Sequence, residues 1–301
     1  MARRPKPIQM MTASQFEALF PDEEACSKYL VARRWPTGVH CPRCGNDKVH
    51  PVKTMPFKWQ CYACTPNSGY RFSHIAGTIF ENTNKPLRDW FRVTHLMLTS
   101  KKGMSALQIQ RFMGFGSYGT AWGMCHKIRA ALIAPEEKLG GIVEVDETYV
   151  GGKAANKHRS KRDGGSGGIG SGKIAVIGAI TRKGNVVLRV IENTDTATLD
   201  GFVNEAVSNK VSLLCTDEHS GYRNLGRKFP HEVIRKSGGD YVVGAVHTNT
   251  IEGFWSLMKR GVVGSFHKVS KKYMRLYVAE FQFRYNNRHN PDIFGTAIAG
   301  C

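Results

Sequence analysis

No stretch of about 18 consecutive apolar residues occurs in the chain, so a membrane-crossing helix is not expected. Acids are scarce as well. Asp and Glu total 24 against 43 Lys and Arg over 301 residues, a formal charge of +19. That imbalance argues against a basic partner and points to a polyanion, nucleic acid first. The start, MARRPKPIQMM, is basic but is followed by no apolar segment, so a secretory signal is not expected and the cytoplasm is the expected compartment. No long internal repeat is visible, which leaves solenoid folds without support.

Cysteine is present but not in the manner of a disulfide framework. Of the eight, at 26, 41, 44, 61, 64, 125, 215 and 301, four form two CxxC pairs. Cys41-x-x-Cys44 and Cys61-x-x-Cys64 are separated by 16 residues (61 − 44 − 1). Two such knuckles can offer four thiolates to one tetrahedral Zn²⁺, and a reducing compartment suits them. The surrounding segment is too small to bury much core. Metal can supply the missing folding energy, roughly 10–16 kcal/mol for small zinc modules. His40, His50 and His74 lie nearby, but four cysteines complete the set.

Pattern divides the chain into four parts. Residues 1–38 hold a helical segment, with Ser14 and Asp22 as expected N-caps. Residues 39–80 are short, aromatic and β-like and form the expected zinc ribbon. Residues 81–138 return to helix, and KKGMSALQIQRFMGFGSYGTAWGMCHKIRAAL has a helix, a Gly turn and a helix, the outline of a helix-turn-helix. Residues 139–301 alternate strands and helices, which predicts an α/β domain with helices packed on a mixed sheet. Within it, residues 151–173 are rich in Gly, Ser and positive charge and read as a loop.

The acids of the last part have a pattern of their own. In GIVEVDETYV, strand alternation puts Val143 and Val145 on one face and Glu144 and Asp146 on the other. A carboxylate inside an apolar strand needs a reason. Asp217 follows the apolar run VSLLC, at the strand end where sites on α/β sheets form. Glu252 begins the helix in HTNTIEGFWSLMKRG, whose apolar stripe is Ile251, Phe254, Trp255 and Met258. Lys259 stands seven residues on, about two turns, so it projects to nearly the same side. Each acid has a plainer reading, and for Glu252 it is a capping box closed with Asn249. Together, acids on two strands and one helix can converge on hard divalent cations, Mg²⁺ or Mn²⁺. Two such ions about 3.5–4 Å apart serve phosphodiester chemistry.

VEVDETYVGG, TDEHSGY, HTNTIEGFWSLMKRG and EFQFRYNNR, behind the cysteine ribbon, resemble the ISXO-like group of bacterial insertion-sequence transposases. The resemblance runs from about residue 12 to 295. It implies a DDE-type enzyme with a ribonuclease H-like, integrase-like core. It implies Asp146, Asp217 and Glu252 as the acidic triad holding Mg²⁺ or Mn²⁺, and Lys259 as its basic companion. Some members use Asn as the third residue, so Asn249 stands as the alternative. The implied reaction is hydrolysis at transposon ends, then attack of the new 3′-OH on target DNA. The implied partners are double-stranded DNA, ends and target, and further copies of the chain assembled on it. Lys153, Lys157, Arg159, Lys161, Arg162, Lys173, Lys259 and Arg260 are the expected DNA contacts. The rival expectation is a zinc-ribbon DNA-binding protein without catalysis.

Overall fold

The computed structural model describes residues 11–135, 137–152, 173–235, 238, 242, 244 and 246–301. The chain packs as two compact units, one of residues 1–132 with 288–301, the other of residues 133–287.

The first unit opens with α1 (Ala13–Leu19) and α2 (Glu23–Arg34). Asp22 caps α2, accepting from Ala25 N at 2.8 Å, as expected. The α1 cap is Thr12 and not Ser14: its hydroxyl accepts from Gln15 N while the Gln15 amide accepts from Thr12 N. That two-way bond is a capping box with glutamine at N3. Glu17, which stands in the same register from Ser14, pairs instead with Arg88 and Arg92. β1 (His50–Pro51), β2 (Lys58–Cys61) and β3 (Tyr70–Ser73) make a three-stranded antiparallel sheet. Then α3 (Leu87–Thr99), α4 (Ala106–Met113) and α5 (Tyr118–Ala131) pack against one another. Gly114, left-handed at φ 67°, ends α4 and makes the turn to α5. The last helix, α9 (Ile293–Ala299), packs with α2 and α3, so the end of the stretch expected as one domain to residue 301 belongs to this unit. Phe294 enters an aromatic cluster with Phe16, Phe20, Tyr29 and Phe91 at ring separations of 5.0–6.3 Å.

The second unit is a five-stranded mixed sheet. Its strands are β4 (Ile142–Val150), β5 (Ile174–Thr181), β6 (Val186–Ile191), β7 (Leu213–Thr216) and β8 (His231–Val233). Their spatial order is β6-β5-β4-β7-β8, with β4, β5 and β6 antiparallel and β7 and β8 parallel to β4. Lys183 and Gly184 turn the β5–β6 hairpin that TRKGN announces. Helix α6 (Thr196–Ala206), capped by Asp195, covers one face. Val143, Val145, Ile177, Leu214, Phe202 and Val203 form that core. Helices α7 (Asn249–Gly261) and α8 (Lys271–Asn286) cover the other face. There Ile251, Phe254, Trp255 and Met258 pack on Val176, Ile180 and Leu188, as the apolar stripe predicts. Of the expected basic loop, Lys153, Lys157, Arg159, Lys161 and Arg162 lie outside the described residues.

No helix among the described residues is long and apolar enough to cross a membrane.

Candidate functional site

Sheet register brings the first two acids together. β4 and β7 run parallel with Glu144 opposite Cys215. Two residues further on are Asp146 (144 + 2), within β4, and Asp217 (215 + 2), just past the end of β7, which brings the two acids near each other. A third carboxylate, absent from the sequence reading, joins them. Carboxylate oxygens of Asp146, Glu147 and Asp217 all lie within 4.8 Å of one another. Glu147 leaves β4 on the opposite face, where the buried Tyr222 donates its hydroxyl to Glu147 Oε2 at 2.6 Å. Burial pushes the Glu147 carboxyl above its usual range; the Tyr222 bond opposes that and the charge of Asp217 adds to it. Burial also lifts the Tyr222 hydroxyl well above its ordinary value, so it stays a donor. His219 closes the loop: its N–H donates to Asp217 Oδ1 at 3.1 Å and its Nδ1 accepts from Gly221 N at 3.1 Å. The adjacent acid pair in DET and the tyrosine in TDEHSGY were the available signals.

Helix α7 supplies the other wall. Asp146, Glu147, Thr148, Glu252, Trp255, Ser256, Lys259 and Arg260 line one open cleft of about 440 Å³. Glu252 and Lys259 therefore share a side, as their seven-residue spacing predicts. Glu252 faces the cleft without belonging to the close carboxylate group. Asn249 is exposed at the helix start and is not part of the cleft lining. The capping box between Asn249 and Glu252 does not form, because the N-cap is Thr248.

Trp255 ties this helix to the acids. Its indole Nε1–H donates to Asp146 Oδ2 at 3.0 Å. The ring lies over Gly178, the residue paired with Asp146 on β5. A Cβ at Gly178 would come within 2.8 Å of the Trp255 ring and of Leu188, so glycine makes room for the indole.

The buried carboxylate of Glu144 has its reason here. It is fully buried and accepts from Thr250 N at 2.8 Å, Ile251 N at 3.0 Å, Thr250 Oγ1 at 2.9 Å and Arg182 Nε at 2.7 Å. His247 Nδ1 lies 3.2 Å from Oε1. A strand carboxylate thus caps the helix that faces the acids.

In the first unit, Cys41, Cys44, Cys61 and Cys64 hold their sulfurs within 4.8 Å of one another. Cys41 Sγ to Cys64 Sγ and Cys44 Sγ to Cys61 Sγ are both 3.7 Å. A tetrahedron with Zn–S bonds of about 2.3 Å places its sulfurs about 3.8 Å apart, so the donor set fits zinc. Burial raises the Cys41 thiol, yet N–H groups of Cys44 and Arg43 pointed at its sulfur bring it down to about 7. Hydrogen bonding to Cys44 and burial push Cys64 the other way, up to about 12, so metal binding here would displace protons.

A mixed sheet in this order, helices on both faces and acids where β4 and β7 run side by side define a ribonuclease H-like, integrase-like domain. Residues 138–286 match the ISXO2-like transposase domain, and residues 21–67 match the transposase zinc-ribbon domain. The chain thus carries an ISXO2-like transposase domain behind a transposase zinc ribbon. It is 28% identical over 285 residues to an uncharacterized protein in transposable element ISH50 of Halobacterium salinarum, covering 88% of this chain and 91% of that one. A chain in the cryoEM structure of a simian T-cell lymphotropic virus intasome in complex with PP2A regulatory subunit B56 gamma aligns at 13% identity and a TM-score of 0.29. That alignment covers 64% of this chain and 65% of the other.

Proposed function

We propose that the protein is a DNA transposase that binds the ends of its element, cleaves there, and joins the ends to target DNA. The observation that carries this is the meeting of Asp146, Glu147 and Asp217, the first two of which line a cleft whose other wall presents Glu252 and Lys259. Oxygen donors of this kind suit Mg²⁺ or Mn²⁺. When bound, such ions lower the pKa of an attacking water and stabilise the leaving oxygen. Asp146 and Asp217 would hold such ions with their carboxylates, and Glu252 would add charge from the facing helix. Trp255 holds Asp146 in place through the indole bond. Lys259 and Arg260, exposed on the cleft wall, pair with the phosphates of the strand being cut. Zn²⁺ on the four cysteines is the structural metal of the ribbon, a closed site with no open position.

DNA binding extends beyond the cleft in this reading. Between Asp89 and Glu136 the sequence has no acid. α3, α4, α5 and their turns present Lys101, Lys102, Arg111 and Lys127 to solvent. α4 and α5, joined at Gly114, form the helix-turn-helix that docks on the end sequence. Lys173 and the sequence's Lys153, Lys157, Arg159, Lys161 and Arg162 add phosphate contacts on the strength of their charge. The chain acts as a homo-oligomer that pairs two ends.

The test is Mg²⁺-dependent nicking of a labelled duplex carrying the element's end. Asp146→Asn, Asp217→Asn and Glu252→Gln are expected to lose cleavage and keep end binding. Asn249→Ala is expected to keep part of the activity. Full cleavage by Glu252→Gln together with a dead Asn249→Ala would transfer the third role to Asn249. Binding without cleavage by the wild type in Mg²⁺ and in Mn²⁺ would support a non-catalytic DNA-binding protein instead.

A further inference from the structure

The start of α7 has an unusual division of labour. An N-cap side chain ordinarily accepts from the backbone N–H at N2 or N3. Thr248 is the N-cap, so N2 is Thr250 and N3 is Ile251, and Thr248 makes no such bond. Both N–H groups go to Glu144 Oε2, at 2.8 and 3.0 Å. The Thr248 hydroxyl is nonetheless buried, with the residue 1% exposed, and a buried hydroxyl needs a partner. It donates to Glu252 Oε1 at 2.9 Å. The Thr248 carbonyl also accepts from Glu252 N at 3.1 Å, so one residue holds Glu252 by backbone and side chain together.

We propose that Thr248 is a positioning residue for Glu252, released for that task by Glu144, which caps α7 in its stead. The inference rests on the reading of Glu252 as an active-site carboxylate. An exposed glutamate on a first helical turn samples several rotamers, and fixing one oxygen leaves the other directed by a single torsion. Glu144 sits two residues before Asp146 on the same face of β4, so the strand that presents the first acid also fixes the helix that presents Glu252. Arg182 steadies this clamp, with Nε on Glu144 and Nη2 donating to the His247 carbonyl at 3.1 Å.

The test pairs Thr248→Val, which keeps the shape and removes the donor, with Thr248→Ser, which restores it. Mn²⁺ affinity of the DNA-free full chain is read by electron paramagnetic resonance, and cleavage is read at saturating DNA. Thr248→Val is expected to slow cleavage by about tenfold or more, the scale of a lost hydrogen bond to a charged group, with unchanged DNA affinity and unchanged thermal unfolding. Thr248→Ser is expected to recover it. Thr248→Val should also weaken Mn²⁺ binding, and should weaken it no further when Glu252 is already Gln. If Glu252→Gln harms cleavage and Mn²⁺ binding while Thr248→Val leaves both intact, the positioning role is overturned and the catalytic reading survives. Additive losses in the double variant would overturn it too. If Glu252→Gln itself behaves as wild type, the assignment of Glu252 fails and this inference falls with it.

Discussion

The two clusters of potential metal ligands are built on opposite principles. The ribbon's four sulfurs come from two short knuckles, each made by a turn of the local backbone. Around them the described core holds five buried residues, Trp35, Cys41, Cys61, Phe72 and Ala76, and two of these belong to the cysteine set itself. The acids stand on a different foundation. Asp146 and Asp217 are 71 positions apart (217 − 146) and meet because β4 and β7 run parallel in one register. Two apolar cores, one on each face of the sheet, hold those strands whether or not an ion is present. In the ribbon a metal would organise the protein, and in the sheet the protein organises the acids.

The sharpest way to break this contrast is to remove one sulfur. Cys61→Ser, or prolonged chelation of the wild type, is expected to unfold the ribbon, since roughly 10–16 kcal/mol of folding energy is tied to such a metal. Residues 133–287 are expected to keep their own unfolding transition, followed by tryptophan fluorescence of the buried Trp255. One stoichiometric zinc per chain should be lost with the cysteine. A chain purified without chelator and free of zinc, yet with a folded ribbon, would end the contrast.

The same contrast explains what the sequence made legible. Cysteine ligands with local spacing can be read directly, because the distance along the chain fixes the distance in space. Asp146, Asp217 and the Glu252–Lys259 pair were readable from strand alternation and helical period. Glu147 was not, because alternation assigns it to the far face, where Tyr222 donates to its carboxylate and His219 Nε2 lies 4.0 Å from it. The true α7 cap escaped for a related reason. Asn249 and Glu252 satisfy the local rule for a capping box, but Glu144, 106 positions before Thr250, reaches the N–H groups first. The placement of α9 with the first unit was equally hidden, since IFGTAIA has only generic apolar character and its partners lie on α2 and α3.

A smaller perturbation tests the other half of the contrast. Gly178→Ala adds one methyl where a Cβ would meet the Trp255 ring and Leu188 at 2.8 Å. Overpacking of this kind costs about 1–3 kcal/mol. The unfolding midpoint of residues 133–287 should drop, and cleavage should drop further as Trp255 is displaced from Asp146. Zinc content should not change. A stable, fully active Gly178→Ala protein would mean that the indole's seat on the sheet has no bearing on the acids.

Thiol reactivity probes the difference with the least disturbance. At pH 8 the zinc-loaded chain should react slowly with a thiol reagent at every cysteine. The four ribbon sulfurs are held as ligands. Burial pushes Cys26 up to about 12, and the nearby charge of Glu23 adds to it. Burial likewise pushes Cys301 up to about 12, and its thiol donates to the Ala297 carbonyl at 3.2 Å. Cys215 is raised by burial as well, and Cys125 is fully buried. The thiolate is the reacting species, and a thiol with its pKa four units above the solution pH is ionised in about one molecule in ten thousand. Chelator, by unfolding the ribbon, should release four fast thiols, at positions 41, 44, 61 and 64, and leave the other four silent until denaturant is added. Raising the pH without chelator should speed Cys26 and Cys301 only as it nears 12, since that is where they lose their protons in the folded chain. Mass mapping of the labelled sites reads both steps. Eight thiols released together by chelator would show that the sheet also depends on the ribbon's metal, and would erase the distinction between a metal-built and a core-built site.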